Sequence, residues 1–154
     1  MKIKGVVSSG LGRAHLFMAQ SHYQEQFQKV IGSTAWPGTL NVAVSGDDFI
    51  QYASLREVSG VETAGLDSLQ LERIKSVNVE SLEPYRINGF LRDGVSFGGA
   101  TAFIATIFSG EKQEECAVLI PDLTRHTDVL EVISRQFLRE KLGISDGDEI
   151  IIEL

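Results

Sequence analysis

The stretch ATAFIATIFSGEKQEECAVLIP, residues 100–121, consists of two apolar runs on either side of a polar turn. Residues 100–108 and 116–121 are of strand length and include several β-branched side chains. Such runs predict buried strands, while the glycine and the charges within residues 109–115 predict a solvated turn. One strand therefore follows another without an intervening helix, which disfavours a repeating βαβ fold and favours a mainly β fold.

The flanking sequence predicts further strands, one in each of the runs KIKGVV, HLFM, TLNVAV, VLEVI and EIIIEL. The segment YRINGFLRDGVSFGG, residues 85–99, predicts a hairpin that turns at Asp93 and Gly94, since Asp-Gly is a strong hairpin signal. With six or more strands and few helices, the sequence predicts a closed β-barrel with short helices at its ends.

Two short helices are predicted. In the first, Tyr23 and Phe27 share one helical face, Ser21 is the candidate N-cap and Gly32 is the candidate C-terminal stop. The second is predicted in RQFLREKLG, residues 135–143.

Residues 46–83 are polar with scattered Leu and Val and have no clear period. We interpret them as a strand-poor insertion in a single domain that spans residues 1–154. Because surface loops accept changes in length at a small entropic cost, we expect this segment to tolerate shortening better than the two ends of the chain.

The composition excludes several classes of protein. Of the 154 residues, 43% are hydrophobic and 23% are charged, and the formal net charge is -7, which disfavours a general nucleic-acid binder. Cys116 is the only cysteine, so no internal disulfide can form, and a reducing compartment is expected. No signal peptide and no apolar run of membrane-spanning length is found. We expect a cytoplasmic protein that is a monomer, with no membrane or nucleic-acid partner.

The run SSGLGRAHLF follows the first predicted strand and contains two glycines with one residue between them. Such a run is compatible with a plain hairpin turn. It is also compatible with a loop whose backbone N–H groups surround an anion, and the adjacent Arg13 and His15 favour this second interpretation. The run lacks the Lys-Ser or Lys-Thr ending of a P-loop and the third glycine of a dinucleotide fingerprint.

The run PGTLN, residues 37–41, leads into a predicted strand. Residues two apart in a strand face the same side, so Thr39 and Asn41 present their oxygens together, with Leu40 on the opposite face. These oxygens could cap a turn, or they could hold a hard cation such as Mg²⁺ beside a phosphate.

The run PDLTRHTDVLEVI, residues 121–133, places several polar groups in a loop between two apolar strands. Loops on a rigid scaffold often carry sites, and His126 could be either a base or a plain hydrogen-bonding residue. Glu131 lies between apolar neighbours, so it belongs either to the wet face of a strand or to a site. If its neighbours point into the barrel, we expect Glu131 at the barrel mouth.

Taken in order, five pieces of the chain resemble the archaeal-type CTP-dependent riboflavin kinases. The pieces are VVSSGLGRAHLF, YQEQFQKVIG, PGTLNV, PDLTRHTDVLEVI and FLREKLGISDGDEIIIEL. They cover both ends of the chain and leave residues 46–83 unmatched, which suggests an insertion that varies within the family. The resemblance implies a six-stranded cradle-loop β-barrel. It also implies transfer of the terminal phosphate of CTP to the 5′-hydroxyl of riboflavin, which yields FMN and CDP.

The resemblance also implies roles for individual residues. Thr39 and Asn41 would hold Mg²⁺, and Thr124 and Glu131 would contact the flavin. To these implied roles we add a hypothesis of our own, that Glu131 orients or deprotonates the attacking hydroxyl. The implied nucleotide-binding residues are Gly10, Leu11, Gly12, Arg13, Ala14, His15, Gln136, Phe137, Leu138 and Arg139.

The chain departs from the family pattern at Arg13 and Ala14, where an acidic residue and a glycine are expected. Leu16 stands where an aromatic residue is common, and the loop between Thr124 and Glu131 is one residue short. An alternative is therefore a barrel that binds nucleotide or flavin but lacks kinase activity. The run GISDGDEIIIEL also resembles the turn of swapped-hairpin barrels that bind DNA, but the net charge of -7 disfavours that class.

Overall fold

The computed structural model describes residues 1–10, 14–124 and 126–154, with residues 15 and 16 described by their backbone. The elements found in these ranges are listed here in chain order. They are β1 (Lys2–Ser8), α1 (Ala14–Met18), α2 (Ser21–Ile31), β2 (Leu40–Ala43), α3 (Gly46–Val58), α4 (Ser68–Ser76), β3 (Tyr85–Ile87), β4 (Phe90–Arg92), β5 (Val95–Phe97), β6 (Ala100–Ser109), β7 (Lys112–Pro121), β8 (Val129–Ile133), α5 (Leu138–Leu142) and β9 (Glu149–Glu153).

Six strands form the closed antiparallel barrel that the sequence predicted. Their order around the barrel is β6-β7-β8-β2-β1-β9, and β9 pairs back with β6 to close it. The first half of β6 pairs instead with the short strand β3, because β9 reaches only the second half. Strands β4 and β5 form a separate hairpin. The mainly β fold class is confirmed.

Alternation along the strands separates an inner from an outer face of the barrel wall. The inner face is a continuous apolar cluster that includes Val42, Val118 and Leu130, each on a different strand. Leu55 of α3 and Leu142 of α5 belong to the same cluster. Of the two predicted helices, α5 thus contributes to the barrel interior, whereas α2 does not. A second cluster lies on the outer face, where α2 packs against β6, β7 and β8.

Several local predictions are confirmed. The β4–β5 hairpin turns at Asp93 and Gly94, and both residues have positive φ, 52° and 76°. This geometry is that of the type I′ turn, in which Asp-Gly is favoured. Helix α2 ends at Gly32, which has the left-handed conformation of a C-terminal cap. Helix α5 likewise ends at Gly143.

Two local predictions are wrong. The run HLFM lies in helix α1 rather than in a strand, and Met18 of this helix is buried in the outer cluster. A short apolar run has too few residues for its period to distinguish a helix from a strand. Ser21 is the first residue of α2 rather than its cap, since Gln20 occupies the cap position and makes no side-chain capping bond.

Residues 46–83 contain two helices, α3 and α4, which the sequence analysis did not predict. Helix α3 is buried on two sides. Tyr52 and Leu55 belong to the barrel interior, whereas Ile50 and Ala53 pack against Ile74 of α4. A helix that is buried on two sides keeps only a narrow polar face, so its sequence shows a weak amphipathic pattern. The tolerance to shortening expected for this segment is therefore not supported for α3.

Arg56 connects α3 to the loop that follows β7. Its side chain is almost fully buried, with 1% exposed. It donates hydrogen bonds to Thr63 Oγ1 (2.7 Å) and to the backbone oxygens of Glu62 (2.8 Å) and His126 (3.2 Å). A buried guanidinium requires such acceptors, because burial without them is costly. The segment 46–83 is thereby joined to the loop that carries Thr124.

None of the helices in the described part of the chain is both long enough and apolar enough to cross a bilayer.

Candidate functional site

Three oxygen-bearing side chains meet on the outer face of the barrel wall. Asn41 of β2 is paired in register with Glu131 of β8, and Thr39 immediately precedes β2. Thr39 Oγ1 lies 3.2 Å from Asn41 Oδ1 and 3.3 Å from Glu131 Oε1. The predicted same-side arrangement of Thr39 and Asn41 is thus observed, with Leu40 buried in the barrel interior on the other face.

This donor set fits a hard cation. The Thr39 hydroxyl has one hydrogen, so it can donate fully to only one of the two neighbouring acceptors, Asn41 Oδ1 and Glu131 Oε1. The Thr39 oxygen and the acceptor that receives no hydrogen then face each other with lone pairs only. A cation placed among the three oxygens would remove this repulsion. Oxygen ligands of this kind suit Mg²⁺ when phosphate groups and water complete its coordination. The described residues contain no cluster of three or more His, Cys, Asp or Glu side chains that could hold a metal.

Glu131 is partly buried and faces away from its neighbours, Leu130 and Val132, which point into the barrel. Burial raises the pKa of its carboxyl, while the hydrogen bond from Thr39 and the nearby His126 act in the opposite direction. The expected position at the barrel mouth is wrong, because Glu131 lies in the middle of β8 and its face of the wall is covered by α1 and α2.

A cavity of about 270 Å³ lies between the barrel wall and the two N-terminal helices, with Glu131 and Thr39 at one side. All of its other lining residues except Ser96 are apolar, aromatic or glycine. The full set is Ala14, Phe17, Met18, Tyr23, Phe27, Ile87, Ser96, Phe97, Gly98, Gly99, Ala100, Leu119, Pro121 and Leu123. Phe97 contacts Phe17 edge-on at 5.9 Å and stacks on Phe90 at 4.6 Å, so the β4–β5 hairpin forms an aromatic wall of the cavity. We call this space the lateral cavity.

A smaller cavity, of about 80 Å³, is also lined by Thr39. It is lined by all four residues of the second predicted nucleotide-binding segment, Gln136, Phe137, Leu138 and Arg139. Only the last two of these are in α5, since the helix begins at Leu138. Trp36 also lines this cavity and stacks on Phe137 with 4.9 Å between the ring centroids. We call this space the Trp36 cavity.

We call the side chains of Thr39, Asn41 and Glu131 the polar cluster, and the run SSGLGRAHLF the glycine run. The start of the glycine run lies against Asn41 of this cluster. A carbon atom built at the Cβ position of Gly10 would lie 2.2 Å from Asn41 Nδ2, so no other residue fits at this position without a shift. Ala14 begins α1 and lines the lateral cavity. Among the other predicted nucleotide-binding residues, Leu11, Gly12, Arg13 and the side chain of His15 lie outside the described residues.

The predicted flavin contact Thr124 is not among the residues that line the lateral cavity, although its neighbour Leu123 is. The Thr124 hydroxyl instead lies 3.3 Å from the backbone nitrogen of His126. The loop is held at the edge of the cavity by an ion pair in which Arg86 donates to both carboxylate oxygens of Asp122. Thr124 therefore stands close to the cavity without facing it in this structure.

Sequence reasoning missed two features of the site. The first is Trp36, whose signal was its position immediately before PGTLN. The second is a set of contacts in which Asp146 joins Ser9 to Arg139. A larger cavity of about 540 Å³ lies elsewhere, between the end of α2 and strands β6, β7 and β9, and its described lining contains none of the predicted site residues.

Together, the fold and the site define a small closed β-barrel with two cavities that share Thr39 in their lining. Residues 7–71 and 67–154 match the family model CTP-dep_RFKase, which is described as domain of unknown function DUF120. The chain belongs to this family, as its resemblance suggested.

Curated relatives named riboflavin kinase match along almost the whole chain. The protein from Thermoplasma acidophilum is 31% identical over 152 residues, which are 99% of this chain and 56% of that protein. The protein from Methanocorpusculum labreanum is 32% identical, covering 97% of this chain and 55% of that protein. The protein from Sulfurisphaera tokodaii is 33% identical, covering 100% and 95%. The chain thus spans about half the length of the first two relatives and nearly all of the third.

Proposed function

We propose that the chain is a CTP-dependent riboflavin kinase that transfers the terminal phosphate of CTP to the 5′-hydroxyl of riboflavin, giving FMN and CDP. The observation that carries this proposal is that Thr39 lines both cavities. One cavity is lined by the predicted nucleotide-binding residues 136–139, and the other has an apolar wall suited to a planar aromatic ring. A phosphoryl group passing between two substrates would cross the boundary at Thr39. The cytoplasmic location expected from the sequence is compatible with such a reaction.

The lateral cavity is the proposed flavin site. Its volume of about 270 Å³ is just below the usual range for pockets that hold a whole ligand, so we assign it to the flavin ring alone. Phe17 and Leu123 are 48% and 90% exposed, and such apolar surface is suited to contact with an aromatic ligand. The sugar-like chain of riboflavin would then extend toward Glu131 and Thr39.

The polar cluster is the proposed site of phosphoryl transfer. Thr39 and Asn41 are the residues that would hold Mg²⁺, which neutralises charge on the phosphates when it is bound. Phosphoryl transfer needs little covalent chemistry from the protein and depends on in-line positioning and electrostatic stabilisation. In the balanced reaction, the 5′-oxygen of riboflavin bonds to the terminal phosphorus and the bond from that phosphorus to the bridging oxygen of CDP breaks. One proton is lost from the hydroxyl.

Glu131 is the proposed acceptor for that proton or for the hydrogen bond that precedes its loss. Its carboxylate lies 3.3 Å from Thr39 and lines the lateral cavity, so it is next to both the proposed metal site and the flavin chain. A carboxylate at this position can accept the hydrogen bond of the attacking hydroxyl. Glu131 would therefore orient the attacking hydroxyl toward the phosphate.

The test of the proposed function is incubation of the protein with riboflavin, Mg²⁺ and each of the four nucleoside triphosphates in turn, with FMN measured by chromatography. We expect FMN with CTP and much less with ATP, GTP or UTP. If FMN forms fastest with another nucleotide, the chain is still a riboflavin kinase, but CTP is not its donor. Binding of riboflavin or nucleotide without any FMN would favour the alternative, a barrel that lacks kinase activity.

We expect Glu131→Gln to slow FMN formation more than it weakens riboflavin binding. Glutamine keeps the shape and one acceptor oxygen but removes the charge and the basicity, and general-base contributions are typically about a hundredfold or more. Single-turnover rates and riboflavin affinity are to be measured on the same variant. Glu149→Gln, which alters an exposed glutamate at the start of β9, is the matched control. An unchanged rate with weakened affinity would make Glu131 a binding residue only.

A further inference from the structure

Asp146 lies between two parts of the chain that the proposed function assigns to the nucleotide. The Ser9 hydroxyl donates a hydrogen bond to Asp146 Oδ2. Arg139 Nη2 donates to the other carboxylate oxygen, Oδ1, at 2.7 Å and to the backbone oxygen of Ser8 at 3.3 Å. Asp146 therefore joins the beginning of the glycine run to helix α5. We call the set Ser9, Asp146 and Arg139 the Asp146 bridge.

Asp146 is itself held in a fixed turn. Ser145 N–H donates to Asp148 Oδ2 at 2.8 Å, and Asp148 N–H donates back to the Ser145 oxygen at 3.0 Å. The turn is attached to β1 at Val7, whose oxygen accepts from Gly147 N–H (2.9 Å) and whose N–H donates to the Asp148 oxygen (2.8 Å). The carboxylate thus projects from a rigid part of the barrel, which is the arrangement that positions other groups effectively.

The Asp146 bridge is adjacent to the polar cluster. Ser8, the last residue of β1, is paired in register with Asn41, and Gly10 packs directly on the Asn41 side chain. Ser9 lies between these two contacts. A change in the position of Ser9 would therefore displace the first part of the glycine run relative to Asn41. At the other end, Arg139 lines the Trp36 cavity.

We infer that Asp146 is a positioning residue for the nucleoside triphosphate, holding the beginning of the glycine run and the Arg139 guanidinium in place before the nucleotide binds. The inference rests on the proposed function. Among the described contacts, the bridge uses only Nη2 of Arg139, and Arg139 also lines the Trp36 cavity, so its remaining N–H groups are those we assign to the nucleotide. Groups ordered in advance lose less conformational entropy on binding, so the benefit is a tighter complex with the nucleotide.

If Asp146 had a purely structural role, its replacement would lower the free energy of unfolding. Asp146 is exposed, and an exposed ion pair contributes little to the stability of the fold. The inference therefore predicts that Asp146 variants unfold like the unmodified protein but bind nucleotide more weakly. Riboflavin binding should not change, because the residues of the bridge do not line the lateral cavity.

The experiment compares Asp146→Ala and Asp146→Asn with the unmodified protein. Nucleotide affinity is measured from the fluorescence of Trp36, the only tryptophan of the chain, during titration with each of the four nucleoside triphosphates and Mg²⁺ without riboflavin. Isothermal calorimetry repeats each titration. We expect Asp146→Ala to weaken the affinity for the best nucleotide about tenfold, and Asp146→Asn to weaken it less, since an amide can still contact Arg139 and Ser9 but lacks the charge.

Two further variants complete the design. Asp47→Asn removes the acidic partner of another exposed ion pair, with Arg73, and serves as the matched control with unchanged affinity. Ser9→Ala should weaken nucleotide binding in the same direction as Asp146→Ala, and the double variant should be less affected than the sum of the two, because they break one shared contact.

The outcomes separate this inference from the proposed function. Affinity for nucleotide that stays within twofold in Asp146→Ala overturns the inference, and so does an equal loss of riboflavin affinity. Weakened nucleotide binding in a protein that forms no FMN supports the inference and rejects the kinase. If the unmodified protein binds none of the four nucleotides by either method, the inference is overturned, while the FMN assay still decides whether the protein is a kinase.

Discussion

We expect Asn41→Ala to lower the rate of FMN formation about a hundredfold, which corresponds to about 2.7 kcal/mol of transition-state stabilisation. The amide oxygen of Asn41 is one of the three oxygens of the polar cluster, at 3.2 Å from the Thr39 hydroxyl. Its removal would leave the proposed Mg²⁺ with one protein ligand fewer and raise the concentration of Mg²⁺ required. Thr39→Ala should have a similar effect, since the hydroxyl faces both neighbouring oxygens. Initial rates at limiting and saturating Mg²⁺ provide the measurement.

Two controls separate loss of the metal from loss of the fold. Thr39→Ser keeps the hydroxyl and should retain most of the rate, whereas Asn78→Ala changes an exposed asparagine beyond α4 and should leave the rate unaltered. Both alanine variants should remain folded, because Thr39 and Asn41 are not part of the apolar clusters. If they turn over near the rate of the unmodified protein at limiting Mg²⁺, these residues do not hold the metal.

The second large effect concerns stability. Leu55→Ala should lower the free energy of unfolding by about 3 kcal/mol, within the usual range of 2–5 kcal/mol for a buried leucine replaced by alanine. Leu55 is fully buried, at 0% exposure, and reaches the interior of the barrel from α3. The residual cavity cannot collapse easily, because the surrounding strands are paired in a closed ring. Equilibrium unfolding in urea provides the measurement.

Leu69→Ala is the matched control for this prediction. Leu69 lies in the same segment, in α4, but is 65% exposed, so its truncation should change the free energy of unfolding by no more than about 0.5 kcal/mol. Equal and small losses for Leu55 and Leu69 would contradict the assignment of α3 to the core. They would restore the interpretation of residues 46–83 as a peripheral insertion.

The local parts of the site could be predicted from the sequence. Thr39 and Asn41 face the same side because residues two apart in extended chain must do so, and Leu40 faces the interior for the same reason. The same alternation predicts that Glu131 faces away from its apolar neighbours. It does not predict which residues surround Glu131. Which helix covers the outer face at that point depends on packing between distant segments, and no periodicity within VLEVI carries that information.

Helix α3 could not be predicted from the spacing of its apolar residues. A helix with one buried face repeats its apolar residues with a helical period, but α3 contacts the barrel interior with Tyr52 and Leu55 and contacts α4 with Ile50 and Ala53. Arg56 is also buried, which no charge pattern would predict, because its acceptors include the backbone of His126, 70 residues away in the sequence. Tertiary contacts outweigh local propensity in this helix.

By itself, the sequence determined the strand-after-strand order, the turn at Asp93 and Gly94, the end of α2 at Gly32 and the shared face of Thr39 and Asn41. Each of these depends on backbone dihedrals and side-chain alternation within a few residues. The tertiary structure alone decided that Thr39 meets Glu131, 92 positions away, and that Asp146 joins Ser9, 137 positions away. Such contacts exist only after the ring of six strands closes in one register, because closure brings together residues whose separation along the chain carries no local signal.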